Sequence, residues 1–419
     1  MQPTSYPTRL LELGESTVRL VLPAEEKLSG PYATLSYCLG PNPTFINLAP
    51  SNLRELQVGI IQADLPIAFQ ESIHFIKGLP IRYVWIDTLC IIQSGPGSVK
   101  DWHSESAKMQ DVYSNCIVNI ALSRAAHPSE SCLGGPTLTA IPPFEVETTG
   151  FFGNDDSAKS TATIVYFNYY REALYGQPLG FRVWALQERL LPPRVLSLGL
   201  GELFWDCIQA PNACESFPSG VGDLYSNFQL TDKAIPNASD SKTLESAWWT
   251  FVEEYTNRKL TYPEVDKLVA MSAIATRIGS RVDDVYIEGH FWKTLLDSLN
   301  WQVNPWWAQK NTAKDCRTGE RGPRSLAVMK DYTLTLVDEM NPAGQVPFAS
   351  LKLKAYCVEI GWNQDRPTML GEPKWDDNVH FLKDDIDDPD ERLAMVDGAK
   401  YWLAALVEGD YLAEGRAYC

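Results

Sequence analysis

The sequence predicts an α/β fold, a parallel-sheet core with helices on both faces, followed by an α+β extension. Three observations predict it. Tyr83 to Ile92 (YVWIDTLCII) and Ile117 to Leu122 (IVNIAL) are short continuous apolar runs, as expected of strands buried on both faces. Tyr32 to Tyr37 (YATLSY) alternates like a third strand. The segments between them carry apolar residues at helical spacing. This strand–helix–strand–helix–strand order places the three strands side by side and parallel.

The remaining elements follow in chain order. Ser16 to Leu22 alternates like a half-buried strand. Leu65 to Lys77 sets Ile67, Phe69, Ile73, Phe75 and Ile76 at helical spacing, and Asp101 to Tyr113 is a helix with an acidic first residue suited to capping. Cys132 to Gly180 is punctuated by Gly134-Gly135-Pro136, Pro142-Pro143 and Gly153-Asn154-Asp155-Asp156, which predicts a loop-rich insertion holding one hairpin. Arg182 to Leu191 (RVWALQERLL) is a helix stopped by Pro192-Pro193. Val195 to Leu198 and Leu203 to Trp205 form a hairpin turning at residues 199–201. Leu244 to Arg258, Pro263 to Ile278 and Phe291 to Leu299 read as helices, and strands return after Gly322, notably Tyr332 to Val337 and Leu351 to Ile360. The expected division is a core over 1–194, with its insertion at about 132–180, and an extension over 195–419 that packs on the core.

Composition narrows the function. The chain has 419 residues, with 36 Lys and Arg against 53 Asp and Glu, a net charge of −17. Such an acidic chain is a poor partner for nucleic acid, whose binding rests on phosphate neutralisation. Apolar residues make up 45% and charged residues 21%, a globular composition. No apolar run approaches the roughly 20 residues that span a bilayer, so no membrane association is expected. The start lacks the basic and apolar regions of a secretory signal, and the nine cysteines form no C-x-x-C pair. A cytoplasmic protein with reduced thiols is the expectation. The five histidines never lie three or four apart, so no histidine-rich metal site is expected. The phosphate-loop, H-E-x-x-H and G-x-S-x-G signatures are absent.

Four segments carry a family resemblance. Tyr32-Ala33-Thr34-Leu35-Ser36-Tyr37-Cys38-Leu39-Gly40 resembles the first motif of fungal heterokaryon incompatibility (HET) domains, Y-x-A-L-S-Y-x-W-G. Trp85-Ile86-Asp87-Thr88-Leu89-Cys90-Ile91-Ile92-Gln93 resembles the second, W-I-D-A-L-C-I-N-Q. Asp101-Trp102 through Asn115 resembles the helix after it, and Arg182-Val183-Trp184-Ala185-Leu186-Gln187-Glu188 resembles the third motif, R-x-W-x-x-Q-E. Phe204 to Cys207 and Val252 to Leu268 are similar to downstream signatures. Leu39 and Ile92 depart from the family's Trp and Asn, and Gly322-Pro323-Arg324 stands where an aromatic segment is usual.

In open α/β sheets ligands bind at the carboxyl ends of the strands. Ser36 to Gly40 and Asp87 to Cys90 fall at such ends, so Ser36, Tyr37, Cys38, Gly40 and Cys90, together with Arg182, are candidate substrate contacts. Asp87 sits inside an apolar run and needs hydrogen bonds or a cation, with Arg182 a candidate partner. It could equally cap a helix, Ser36 could be a structural strand end, and both thiols read as small buried residues without a nearby base. Trp184 and Glu188 stand four apart, which sets an indole beside a carboxylate on one helical face. The plainer reading pairs Glu188 with a surface arginine and buries Trp184.

The HET family is similar to TIR domains, which implies a flavodoxin-like parallel sheet. In TIR enzymes the glutamate of a W-x-x-x-E helix motif serves NAD cleavage. By that motif the resemblance implies Glu188, Asp87 and Trp184 as catalytic residues, no required cofactor, and NAD as a substrate. It implies a role in non-self recognition and regulated cell death. Two rivals stay open. One is a stand-alone enzyme of fungal secondary metabolism acting on a small organic molecule in the same cleft. The other is a non-catalytic module that self-assembles as a homo-oligomer.

Overall fold

The three apolar segments lie side by side in one sheet, with the 32–36 strand in the middle and both neighbours parallel to it. The computed structural model describes residues 3–41, 43–133, 144–149, 159–164, 166, 168–207, 209–218, 220, 241–261, 266–287, 289–294, 324–325, 327–335, 348–363, 366–369, 374–382, 400–405 and 407–408. The chain divides into two units, Met1–Ile278 and Gly279–Cys419.

The first unit runs β1 (Leu10–Leu13), β2 (Thr17–Val21), β3 (Tyr32–Ser36), α1 (Leu53–Val58), β4 (Ile60–Ile61), α2 (Ile67–Lys77), β5 (Tyr83–Trp85), α3 (Asp87–Cys90), α4 (Ser98–Ser106) and α5 (Met109–Asn115). It continues through β6 (Val118–Ala121), β7 (Phe144–Thr149), β8 (Lys159–Ile164), α6 (Trp184–Leu190), β9 (Arg194–Leu198), β10 (Leu203–Cys207), β11 (Ala210–Cys214), α7 (Ser241–Thr256) and α8 (Val269–Val282), whose last residues belong to the second unit. Its sheet has the order β11-β10-β9-β6-β3-β5-β1-β2-β4. The central strands β5, β3, β6 and β9 are parallel, and antiparallel strands close both sides. This is a mixed α/β sheet. The insertion holds the β7–β8 hairpin, and β9–β10 is the hairpin expected after Pro193. The expected division at 194/195 falls inside β9, because that strand is hydrogen-bonded to β6.

Some elements differ from the sequence expectation. The 83–92 run is not one strand: β5 stops at Trp85, Ile86 is extended, and α3 starts at Asp87. A strand and a buried helical turn are equally apolar, so periodicity does not separate them. The 101–113 helix is two helices. Ala107 and Lys108 interrupt it, with a tight bond from the Lys108 N–H to the Glu105 carbonyl. Residues 290–291 form a strand and Trp292–Thr294 one 3₁₀ turn, where a helix from 291 is expected. Part of that segment, 295–299, lies outside the described residues, as do 262–265 of the expected 263–278 helix. β1 carries no sequence prediction.

The second unit has the hairpin β12 (Tyr286–Ile287) and β13 (His290–Phe291), then β14 (Arg324–Ser325), β15 (Ala327–Thr335), β16 (Phe348–Asn363), β17 (Arg366–Met369), β18 (Lys374–Leu382), β19 (Lys400–Ala405) and β20 (Val407–Glu408). β16 pairs antiparallel with β15, β17, β18 and β19, and β14 pairs with β20. Among the described residues no helix is long and apolar enough to cross a membrane.

Register positions the site. Thr34 lies opposite Asn119 and Ser36 opposite Ala121, while Asn119 lies opposite Val195 and Ala121 opposite Ser197. Neighbours in register share a face of a sheet. One face of β3, β6 and β9 therefore carries Thr34, Ser36, Asn119 and Ser197, all buried. On the same face Trp85 packs edge-on against Tyr113 of α5 at 5.7 Å, and Tyr32 donates to the Val112 carbonyl over 2.7 Å. The sheet has been given a polar stripe that its covering helices must satisfy.

Candidate active site

β3 ends at Ser36, and the next residue turns its side chain to the end of β5. The Tyr37 hydroxyl donates to the Asp87 carboxylate and lies 2.8 Å from the Thr88 hydroxyl. Asp87 opens α3 and takes the Thr88 N–H at 2.7 Å. Burial pushes the Asp87 carboxyl up from its ordinary range, against the pull of Tyr37, Arg182 and the Thr88 amide. Burial, reinforced by Asp87, pushes the Tyr37 hydroxyl well above 10, so it stays a donor. Arg182 closes the arrangement by donating from its guanidinium to the Tyr37 carbonyl. Burial opposes its charge, but Glu188 and Asp87 hold it firmly cationic.

Glu188 comes from α6, one turn beyond Trp184. The Asn119 amide, buried on β6, donates to the Glu188 carbonyl over 3.0 Å and to the Ser36 hydroxyl over 2.9 Å. Glu188 as a residue is half-buried. Burial pushes its pKa from an ordinary 4.5 to about 7, with Asp87 adding to the rise. Arg182 and hydrogen bonds from Ser36 and Tyr113 act the other way. The result is a carboxyl that changes charge near neutrality, as a general base or acid must.

Beside this group lies a small cleft of about 40 Å³. Ser36, Asn119, Ser123 and Ser197 line it from the sheet, and Tyr175, Arg189 and Arg258 line it from the covering segments. Ser36 thus belongs both to the cleft wall and to the surroundings of the Glu188 carboxyl.

The structure gathers Glu188, Asp87, Arg182, Ser36 and Tyr37 into this one region. Trp184 has another commitment: its indole N–H donates to Asp266 over 3.1 Å. Cys38 packs with Ala121, Leu179, Ala185 and Val195, and burial raises its thiol to about 11. Cys90 is fully buried and raised to about 12. Both thiols are protonated packing residues in this state. Gly40 has φ +73°, and a Cβ there would lie 2.2 Å from the His127 ring, so its close approach is to that imidazole.

Asn119, Tyr113, Asp266 and Arg258 are absent from the sequence prediction. Asn119 does carry a signal, a polar residue inside an apolar strand. Asp266 and Arg258 reach the region through a backbone bridge. Lys259 donates to the Phe181 carbonyl over 2.7 Å and accepts the Val183 N–H over 3.2 Å. Among the described residues no cluster of His, Cys, Asp and Glu is placed to hold a metal ion.

Residues 32–188 match the family model described as Heterokaryon incompatibility protein (HET). That segment runs from the first residue of β3 to the carboxyl discussed above, and so contains every candidate residue named from sequence. No curated protein and no solved structure gives a match.

Proposed function

Residues 32–188 carry a heterokaryon incompatibility (HET) domain, and from that premise we propose that the protein serves non-self recognition and regulated cell death by hydrolysing the N-glycosidic bond of NAD. The observation that carries this reading is the Glu188 carboxyl, poised near neutral pH beside the carboxyl ends of parallel strands. Breaking the bond between ribose C1′ and nicotinamide leaves the electron pair on a neutral pyridine, and positive charge develops on the ribose. An ionised Glu188 in a half-buried site stabilises that charge more strongly than it would in water. Water then adds to C1′, Glu188 accepts its proton, and the products are nicotinamide, ADP-ribose and the released proton. Arg182 holds the ionised form of Glu188 within reach, and Asp87 and Tyr37 hold Arg182. Trp184 stands at the start of the same helix, with its indole bonded to Asp266.

Leu39 and Ile92, which depart from the family motifs, favour a second reading in which the same carboxyl acts on another small organic molecule. One experiment addresses both. Purified protein is incubated with NAD and, separately, with fungal metabolite extract, and turnover is followed by mass spectrometry. Nicotinamide and ADP-ribose in equal amounts from wild type, reduced about 100-fold or more in Glu188→Gln, are the expected result. Intact NAD with loss of one extract component would move the assignment to the second reading. No turnover in either incubation would leave a binding module.

A further inference from the structure

The Glu188 carboxyl takes hydrogen bonds from two elements, Ser36 at the end of β3 and Tyr113 on α5. Tyr113 is 1% exposed, and its ring stands edge-on to Trp85 at 5.7 Å. The end of α5 is itself pinned to β3. The Tyr32 hydroxyl donates to the Val112 carbonyl over 2.7 Å, and the Thr34 hydroxyl lies 3.5 Å from the Cys116 sulfur. The Tyr113 phenol is thereby fixed on the sheet face, bonded to the Glu188 carboxyl and to the Ser36 hydroxyl. Of these two partners only the carboxyl can carry charge. Ser36 is less committed as a donor, because it accepts from the Asn119 amide over 2.9 Å and has the Asn119 side-chain oxygen at 3.2 Å as an alternative acceptor. Burial holds the Tyr113 hydroxyl well above 10, with Glu188 and Asp87 adding to the rise, so it keeps its proton wherever Glu188 titrates. The other groups facing Glu188 are Arg182 ahead of α6, Asp87 on α3 and Cys38 after β3, whose thiol stays protonated to about 11. A hydrogen bond donated to the charged form of a carboxyl favours that form.

We propose that Tyr113 is a positioning residue for Glu188: its fixed phenol donates to the ionised carboxylate and keeps that form populated at neutral pH. The inference rests on the cleavage reading only for what the ionised carboxylate then does. Tyr113 acts through Glu188 and needs no contact with substrate. Without the phenol, burial would act on the carboxyl with one opposing donor fewer, and Glu188 would hold its proton to higher pH. A protonated Glu188 has no charge to offer a cationic ribose and cannot take a proton from water.

The test reads Glu188 directly, by NMR titration of the full-length protein labelled in its glutamate carboxyls, with Glu188→Gln assigning the resonance. Tyr113→Phe removes one hydroxyl and keeps the ring against Trp85. In that variant the Glu188 midpoint should rise from about 7 by about one pH unit. Tyr170→Phe removes an equally buried hydroxyl, one that donates to the Asn212 carbonyl, and should leave the midpoint unchanged. In kcat/KM the same rise means a fall of about 5-fold at pH 7 that closes to within about 2-fold by about pH 9. An unmoved midpoint in a folded Tyr113→Phe would overturn the proposal, and so would an equal loss of kcat/KM at every pH, the mark of a structural role. If Tyr113→Phe does not fold, wild type decides. One tyrosine ring resonance should titrate at the Glu188 midpoint and lose that titration in Glu188→Gln, and the absence of any such resonance would overturn the proposal. The two readings separate cleanly. A raised midpoint in Tyr113→Phe without NAD turnover keeps the role of Tyr113 and removes the cleavage reading, whereas NAD turnover with the same pH midpoint in wild type and Tyr113→Phe does the reverse.

Discussion

The side-chain amide of Asn119 donates to the backbone carbonyl of Glu188 across 3.0 Å, although 69 residues separate them. A buried strand residue thereby sets the height of the helix that carries the central carboxyl. The same amide group serves the Ser36 hydroxyl, and its oxygen accepts from Thr34 at 3.0 Å. Replacing Asn119 with Ala removes all three partners at once in a site with 1% exposure. Urea unfolding should show a loss of about 1–3 kcal/mol. Asn119→Asp should lose more, because an ionised carboxylate would face the Glu188 carbonyl with no proton to give. Unchanged midpoints in both variants would remove Asn119 from the positioning of α6.

Glu188 should make stability fall as pH rises. The unfolded chain ionises near 4.5, whereas the folded state holds the proton to about 7. Across that window the folded state binds more protons, so stability declines from the lower value to the upper and then levels off. Glu188→Gln carries no such proton. Relative to wild type it should gain stability between about pH 4 and about pH 8, by no more than about 3 kcal/mol. Equilibrium unfolding of both proteins at the two pH values checks this. For turnover the sign is opposite: kcat/KM should rise with pH through about 7 as the base ionises.

The parallel strands are legible in the sequence because a strand buried on both faces leaves an unbroken apolar run. Asp87 is legible for the complementary reason, as a carboxylate within such a run. Asn119 in IVNIAL shows the same pattern and marks the floor of the site equally well. The start of α3 is hidden, since the Tyr37 and Thr88 groups that fix Asp87 there come together only in the fold. The role of Trp184 is hidden for a similar reason. Spacing of four predicts a shared helical face with Glu188, but the partner of the indole, Asp266, lies 82 residues on. Arg258 likewise arrives by the bridge between 182 and 259, which no local pattern announces.

Gly40 should not tolerate a side chain. Its φ of +73° lies in the left-handed region, and an added Cβ would overlap the His127 ring. Gly40→Ala should lower stability by roughly 1–2 kcal/mol from the backbone alone, with the clash added to it. His127 is itself held by hydrogen bonds from the Ser129 amide at 3.1 Å and with its hydroxyl at 2.7 Å, which limits how far the ring can withdraw. The double variant Gly40→Ala with His127→Ala separates the two effects by thermal melting. It should recover the clash and keep the backbone penalty. Full recovery would mean that φ contributes nothing.

Trp184 and Asp266 should be energetically coupled. Asp266 is 9% exposed, and burial raises its carboxyl pKa against the pull of Trp184 and Arg182. Trp184→Phe keeps most of the apolar area but removes the indole N–H that donates to Asp266. The cost should be about 1–3 kcal/mol, the penalty of an acceptor left unsatisfied. Asp266→Asn removes the buried charge, keeps an acceptor for the indole, and should be milder. The double variant should cost less than the sum of the two, with a coupling of about 0.5–3 kcal/mol. Strict additivity in urea unfolding would deny the bond any contribution. Turnover distinguishes the two roles open to the tryptophan. If Trp184 fixes α6 through Asp266, Asp266→Asn and Trp184→Phe should change kcat in the same direction. If the indole contacts the substrate, Trp184→Phe alone should raise KM, and Asp266→Asn should leave KM unchanged.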